Sequence, residues 1–180
     1  MFNHSRYDAL VVGARCAGAA TTMLMARCGL RVLVIDRGRY AADTTSTHAL
    51  MRGGVMQLHR WGVLPRIVAA GTPAVRSTQF HYGEDVVQVE IRPQHGVGAL
   101  YAPRRTLLDS TLVDAARMAG AEVRHGCTLA ALLRHSDGRV SGAVILDDEG
   151  RSIEVTTYLV VGADGIGSTV ARLTNANVQW

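Results

Sequence analysis

"DALVVGARCAGAATTMLMARCGLRVLVID", residues Asp8 to Asp36, is the stretch on which the fold turns. Asp8 to Val12 is a short, almost wholly apolar run, the pattern of a strand buried on both faces of a parallel sheet. Small residues and methionines from Ala17 to Cys28 predict a helix that packs closely on that sheet. Gly29 stops the helix, and RVLVID, Arg31 to Asp36, is a second buried strand. The unit takes 29 residues, close to the length of a βαβ motif.

The turn between strand and helix carries the chemistry. A dinucleotide-binding turn has the form G-x-G-x-x-G, with an acid about 20 residues later. Gly13 fits the first position and Gly18 the third, while Arg15 stands where the middle glycine belongs. Glycine there lets backbone approach a pyrophosphate; arginine brings a guanidinium that adds a charge-assisted bond to phosphate if it swings clear. The free N–H groups of the helix start, around Cys16 and Ala17, face an anion whatever residue occupies position 15. Asp36 ends the second strand, placed to accept hydrogen bonds from ribose hydroxyls, and Arg37 follows it. An acid here repels a 2′-phosphate, which disfavours NADP as the ligand of this first site.

A polar segment after Asp36, RGRYAADTTSTHALMRGG, is too long for a simple connection, and loops of that length are usually functional or disordered. Val55 to Trp61 reads as helical, and Pro65 suits the first turn of another helix. Between Val75 and Pro93 the pattern alternates like a hairpin, with YGED as its turn. Leu107, Leu108, Leu112, Val113 and Ala116 then recur at helical spacing, Gly120 ends that helix, and AEVRH is a short strand. Three strands follow, Thr128 to Arg134, Val140 to Leu146 and Ser152 to Thr157. Their turns, HSDGR and DDEGR, each hold a glycine where a left-handed residue is wanted. The final stretch, TYLVVGADGIGSTVARL, reads as a buried strand, a glycine turn and a helix start.

Composition narrows the function classes. The 180 residues are 48% hydrophobic and 19% charged, a globular balance long enough for a real core. All nineteen basic residues are arginine and the net charge is +4. They are scattered, with only Arg104 and Arg105 adjacent, so the clustered footprint of a nucleic-acid binder is missing. Three cysteines without C-x-x-C or metal spacing fit a reducing compartment. No apolar stretch reaches the roughly 20 residues of a spanning helix, and the N-terminus lacks a signal-peptide core. A cytoplasmic location is expected. There is no H-E-x-x-H for a metal and no G-x-S-x-G for a hydrolase nucleophile.

Four segments, VVGARCAGA, VLVIDRG, YAPRRTLLDSTLVDAA and LVVGADGIGSTVARL, resemble the N-terminal portion of FAD-dependent oxidoreductases of the glutathione-reductase-like fold. More narrowly, they resemble the aromatic hydroxylase and geranylgeranyl reductase branch. The resemblance implies an α/β fold, a Rossmann-like parallel sheet with an antiparallel three-stranded crossover and a small inserted hairpin. Residues 1–70 and 100–180 would form the FAD-binding domain, with 71–99 belonging to a substrate-side layer. The last segment matches the family's D-G-x-x-S-x-x-x-R motif through Asp164, Gly165, Ser168 and Arg172, implying a part in holding FAD. Arg52 and Arg105, the latter with Arg104 as its alternative, match the family's cofactor-contacting arginines. The full set of implied FAD-binding residues is Gly13, Arg15, Cys16, Ala17, Gly18, Asp36, Arg37, Arg52, Arg105, Asp164 and Gly165.

The family's later Gly-Asp motif normally lies well beyond residue 180, so a chain truncated relative to a full-length enzyme is expected. The resemblance implies NAD(P)H as reductant and a small-molecule substrate, most naturally in a flavin-dependent monooxygenase using O2. A geranylgeranyl-reductase-like double-bond reductase, a flavin-dependent halogenase and a non-catalytic dinucleotide-binding module stand as alternatives. No catalytic residue is assigned; His48, His81 and Tyr101 are candidates for a ring-side pocket. Homo-oligomerisation, or association with a missing C-terminal part, is the partner expectation.

Overall fold

A computed structural model describes residues 6–44 and 49–177. The chain packs as two compact units, Met1–Ala42 with Leu112–Trp180, and Asp43–Thr111.

The first unit is built on a six-stranded sheet in the order β7-β2-β1-β10-β9-β8. Its strands are β1 (Arg6–Val12), β2 (Val32–Asp36), β7 (Glu122–His125), β8 (Thr128–Arg134), β9 (Val140–Leu146) and β10 (Ser152–Gly162). β7, β2, β1 and β10 run parallel, and β10, β9 and β8 form an antiparallel meander. The mixed α/β architecture with its antiparallel crossover is the one expected from the sequence. Apolar side chains on both faces of β1 and β2 explain the arrangement. Leu10, Val12, Leu33 and Ile35 join Cys127, Leu129, Ala143, Ile145, Val155 and Val170 in one buried cluster. The alternate residues Ala9, Val11, Val32 and Val34 are equally buried and point to the other face. The helix α1 (Cys16–Arg27) packs on β1 and β2 and buries Ala19, Ala20, Met23 and Ala26. No helix among the described residues is long and apolar enough to cross a membrane.

β10 departs from expectation in two ways. Ser152–Thr157 and the following TYLVVG form one unbroken eleven-residue strand, because no glycine, proline or turn residue lies between them. Its first half pairs antiparallel with β9 from Ser152 to Thr156, and its second half pairs parallel with β1 from Thr156 to Gly162. Within the second half, Tyr158 and Leu159 are also not buried, at 65% and 49% exposed. Beyond Thr156 the strand has β1 on one side and no strand among the described residues on the other. The apolar composition of YLVVG therefore reflects strand preference more than burial. Beside this edge lies a groove of about 540 Å³ lined by Leu132, Val140, Tyr158, Val160 and Val170 among others.

The second unit holds α2 (Arg52–Arg60), α3 (Leu64–Ala69), β3 (Ala74–Val75), β4 (Ser77–Tyr82), β5 (Asp85–Glu90) and β6 (Leu100–Tyr101). α2 begins three residues before the expected Val55, placing Arg52 in its first turn. Pro65 lies in the first turn of α3, where its missing N–H costs nothing. β4 and β5 are the expected hairpin, with Tyr82 opposite Asp85 at its turn. The helix α4 (Arg105–Met118) follows β6 in the chain. A short helix, α5 (Thr169–Thr174), follows β10.

Candidate dinucleotide site

Two strand–turn–helix junctions, β1 to α1 and β10 to α5, meet at glycines. Gly13 has φ +100, a conformation that side chains rarely adopt. A Cβ on Gly13 would lie 2.4 Å from the Ala163 carbonyl oxygen, and one on Gly18 would lie 1.7 Å from that of Gly13. Gly13 N–H donates to the Ile35 carbonyl at 2.8 Å, and Ala163 N–H donates to the Val12 carbonyl at 2.7 Å. The first and third glycines are thus locked to each other and to the second junction. Ala163, which sequence reasoning did not single out, belongs to the same contact; its small side chain in VGADG was the available signal.

Arg15 occupies the N-cap of α1 with extended backbone. Its side chain is exposed, and it makes no hydrogen bond or ion pair with another described residue. Its carbonyl accepts from Ala19 N–H at 2.8 Å, the first bond of the helix. The N–H groups of Ala17 and Gly18 precede that bond and have no intrahelical acceptor. Close glycine backbone, orphan donors and an outlying guanidinium form a cradle suited to a pyrophosphate.

Asp36 ends β2 beside this cradle. One carboxylate oxygen accepts from Ala14 N–H and the other from Gly38 N–H, both at 2.7 Å. Each oxygen keeps a second lone pair for a ribose hydroxyl. The carboxylate therefore braces the loop, a role that spacing alone does not reveal. Arg37, next in the chain, is exposed.

Asp164, which the resemblance places in an FAD-holding motif, accepts hydrogen bonds from its own chain. Its Oδ1 accepts from Ser168 Oγ at 2.6 Å, and its Oδ2 accepts from Thr169 N–H at 2.6 Å and Val170 N–H at 3.2 Å. Ser168 Oγ in turn accepts from Ala171 N–H at 3.0 Å. The D-G-x-x-S spacing is thus a cap on α5, and Gly165, at φ +82, makes the turn that folds it back. Arg172 is exposed one turn further on.

Arg52 and Arg105 lie in the second unit. Arg52 donates to the carbonyls of Arg92 at 2.7 Å and Val97 at 3.4 Å, bracing the loop between them. Arg105 forms a fork with Asp109 at 3.0–3.2 Å, and Arg104 pairs with Asp43. His81 lies on the exposed β4 strand, Tyr101 bridges Leu50, and His48 lies outside the described residues.

At the far side of Asp36 stands His125, its register partner on β7. Burial pushes the His125 imidazole below its ordinary pKa, with Asp36 and the nearby Gly38 backbone opposing and Arg117 reinforcing that shift.

The fold and this junction define a dinucleotide-binding flavoprotein domain, and sequence comparison agrees. Residues 6–179 match the family described as FAD binding domain, and the chain belongs to that family. It is 32% identical over 178 residues to a probable electron transfer flavoprotein-quinone oxidoreductase, YdiS, of Escherichia coli K12, covering 93% of this chain and 38% of that protein. It is 28% identical over 172 residues to digeranylgeranylglycerophospholipid reductase of Methanosarcina mazei, covering 93% of this chain and 40% of the relative. The chain thus spans about two-fifths of the length of these curated relatives. Among solved structures, the flavin-dependent monooxygenase PieE in complex with FAD and substrate superposes with a TM-score of 0.78 at 24% identity, covering 95% of this chain and 32% of that one.

Proposed function

We propose that the first unit holds the adenosine diphosphate part of FAD. The pyrophosphate would lie on the N–H groups of Ala17 and Gly18, Arg15 would close over it, and Asp36 would take the ribose hydroxyls. Arg37 and the Asp164–Gly165 turn border the same junction. The observation that carries this reading is the contact between Gly13 and Gly18, a space that a single methyl group would fill. Arg52 and Arg105 already hold partners of their own, and the reading does not draw on them.

FAD, when bound, supplies hydride and electron transfer; this chain's residues bind it, orient it and neutralise its phosphates. The whole protein would act as a flavin-dependent oxidoreductase with NAD(P)H as reductant. Sequence identity favours the reductase alternative, since the relatives above are a quinone oxidoreductase and a reductase of an isoprenoid lipid. The substrate class would then be an apolar quinone or isoprenoid. A monooxygenase remains the second reading, supported by likeness of fold to PieE. Association with further polypeptide, a second copy or a C-terminal part, fits the uncovered β10 edge.

The test is an absorbance spectrum of the purified chain before and after FAD addition and desalting. Retained flavin supports the reading, and a Gly18→Ala variant that retains it equally would overturn the cradle assignment. Bleaching by NADH or NADPH, followed by turnover with a menaquinone or an isoprenoid alkene, separates reductase from monooxygenase.

A further inference from the structure

Both ring nitrogens of His125 are buried, and neither makes a hydrogen bond within the described structure. A neutral imidazole carries one donor and one acceptor, and leaving both unpaired in the interior is costly enough to require a reason.

The surroundings of the ring supply one. Asp36 faces it from β2. The Tyr40 ring covers it edge-on, with centroids 5.7 Å apart and planes at 73°. Tyr40 is held by its hydroxyl, which donates to the Asp114 carboxylate on α4 at 2.8 Å, and by the Arg117 guanidinium 5.0 Å from its ring centroid. Two backbone bonds stitch the loop after β2 to the end of β7 around the histidine. Gly126 N–H donates to the Gly38 carbonyl at 3.2 Å, and Cys127 N–H donates to the Asp36 carbonyl at 3.0 Å. The charged and titratable groups around the imidazole are therefore Asp36, Tyr40, Asp114, Arg117 and the Cys127 thiol. Of these, Asp36 is the anion without a cationic partner among the described residues, since Tyr40 and Arg117 both engage Asp114.

We propose that His125 is a positioning residue for Asp36. While neutral, it leaves the carboxylate on the amides of Ala14 and Gly38. On taking a proton from solvent it becomes a cation with two donors beside that carboxylate, and it draws Asp36 away from Ala14. The phosphate loop then loses one of the bonds that tie it to β2, and dinucleotide affinity falls in acid. This rests on the reading of the Gly13–Gly18 loop as a cofactor cradle and adds a pH control to it.

The first test needs no cofactor. In the intact chain, the Ala14 amide resonance should move with the same midpoint as the His125 ring protons when pH falls below 6.5. In His125→Gln that movement should vanish. An Ala14 amide that ignores the histidine's titration in the wild-type chain overturns the proposal without recourse to a variant. The second test is FAD titration at pH 7.5 and at about one unit below the His125 midpoint found in the first test. Wild type should weaken about tenfold at the lower pH, and His125→Gln and His125→Asn should hold within about twofold. FAD bound equally at both values sinks the positioning role and leaves the cradle intact. No FAD binding at either pH, with the Ala14 coupling present, sinks the cradle and leaves the positioning role.

Discussion

The methyl group that Gly18 lacks would sit 1.7 Å from the carbonyl oxygen of Gly13. No rotamer change relieves such a contact, because both atoms belong to backbone or are fixed to it. Gly18→Ala is expected to spread the junction, lower the melting temperature by several degrees and abolish FAD retention. Gly53, in α2, has nothing within 4 Å of its missing Cβ. Gly53→Ala should instead stabilise, by up to about 1 kcal/mol from helix propensity. Opposite signs for two glycine-to-alanine changes in thermal melts would separate the packed glycine from the open one.

Arg15 is exposed, so Arg15→Ala should leave stability within about 0.5 kcal/mol of wild type. FAD affinity should fall about tenfold or more, the loss of a charge-assisted bond. Fluorescence titration beside a melting curve checks both at once. An unchanged affinity would mean that the guanidinium stays in solvent.

Asp36→Asn keeps the shape and removes an acceptor. One of the Ala14 and Gly38 amides must then face an NH2 group, leaving a donor opposed by a donor. A loss of about 1–3 kcal/mol is expected, with faster hydrogen exchange at one of those two amides. Equal protection of both amides in the variant would refute this account of the loop.

Much of this was legible in the sequence, for identifiable reasons. The β1–α1–β2 unit announces itself because burial on both faces forces a continuous apolar run, and close packing forces glycines at 13 and 18. The glycines at 138 and 150 mark their turns because both adopt positive φ. What stayed hidden depends on partners far apart in the chain. That Asp164 caps α5 follows from a chain reversal at Gly165, and the same letters read equally well as a ligand-binding acid. Arg52 was identified by matching its position, while its acceptors at Arg92 and Val97 are some 40 residues away. The exposure of Tyr158 and Leu159 depends on which strands flank β10, and composition cannot encode a missing neighbour. His125 carried no motif; only the register of β7 against β2 puts it beside Asp36.

The Asp164 cap makes its own prediction. Ser168→Ala should cost about 1 kcal/mol, a typical N-cap loss, and lower the melting temperature by about 2–4 °C for a chain of this size. Asp164→Ala should cost more, since three donors lose their acceptor together. Melting curves identical to wild type would mean that the carboxylate is reserved for a ligand.

A pH effect on stability follows from Tyr7 and Glu122. The Tyr7 hydroxyl donates to Glu122 at 2.6 Å, joining β1 to β7. Burial pushes the Glu122 pKa up, but the bonds from Tyr7 and Arg124 outweigh it and hold the carboxyl below its ordinary 4.5. The folded value is the lower one, so this contribution is complete above pH 4.5 and disappears as pH falls through the depressed value. Tyr7→Phe should therefore be less stable than wild type at neutral pH, with the gap narrowing in acid. A gap independent of pH in denaturant titrations would assign the effect to packing alone.

β10 serves two masters, antiparallel to β9 through Thr156 and parallel to β1 from there on. Because one covalent segment supplies both ladders, neither can fray completely without disturbing the other's register. The meander and the parallel sheet should open as one cooperative unit, with amide exchange in β9 and β1 converging on a common free energy. The strand that joins the two hydrogen-bonding patterns thus makes the turn at Gly162 and Ala163 as durable as the sheet that carries it.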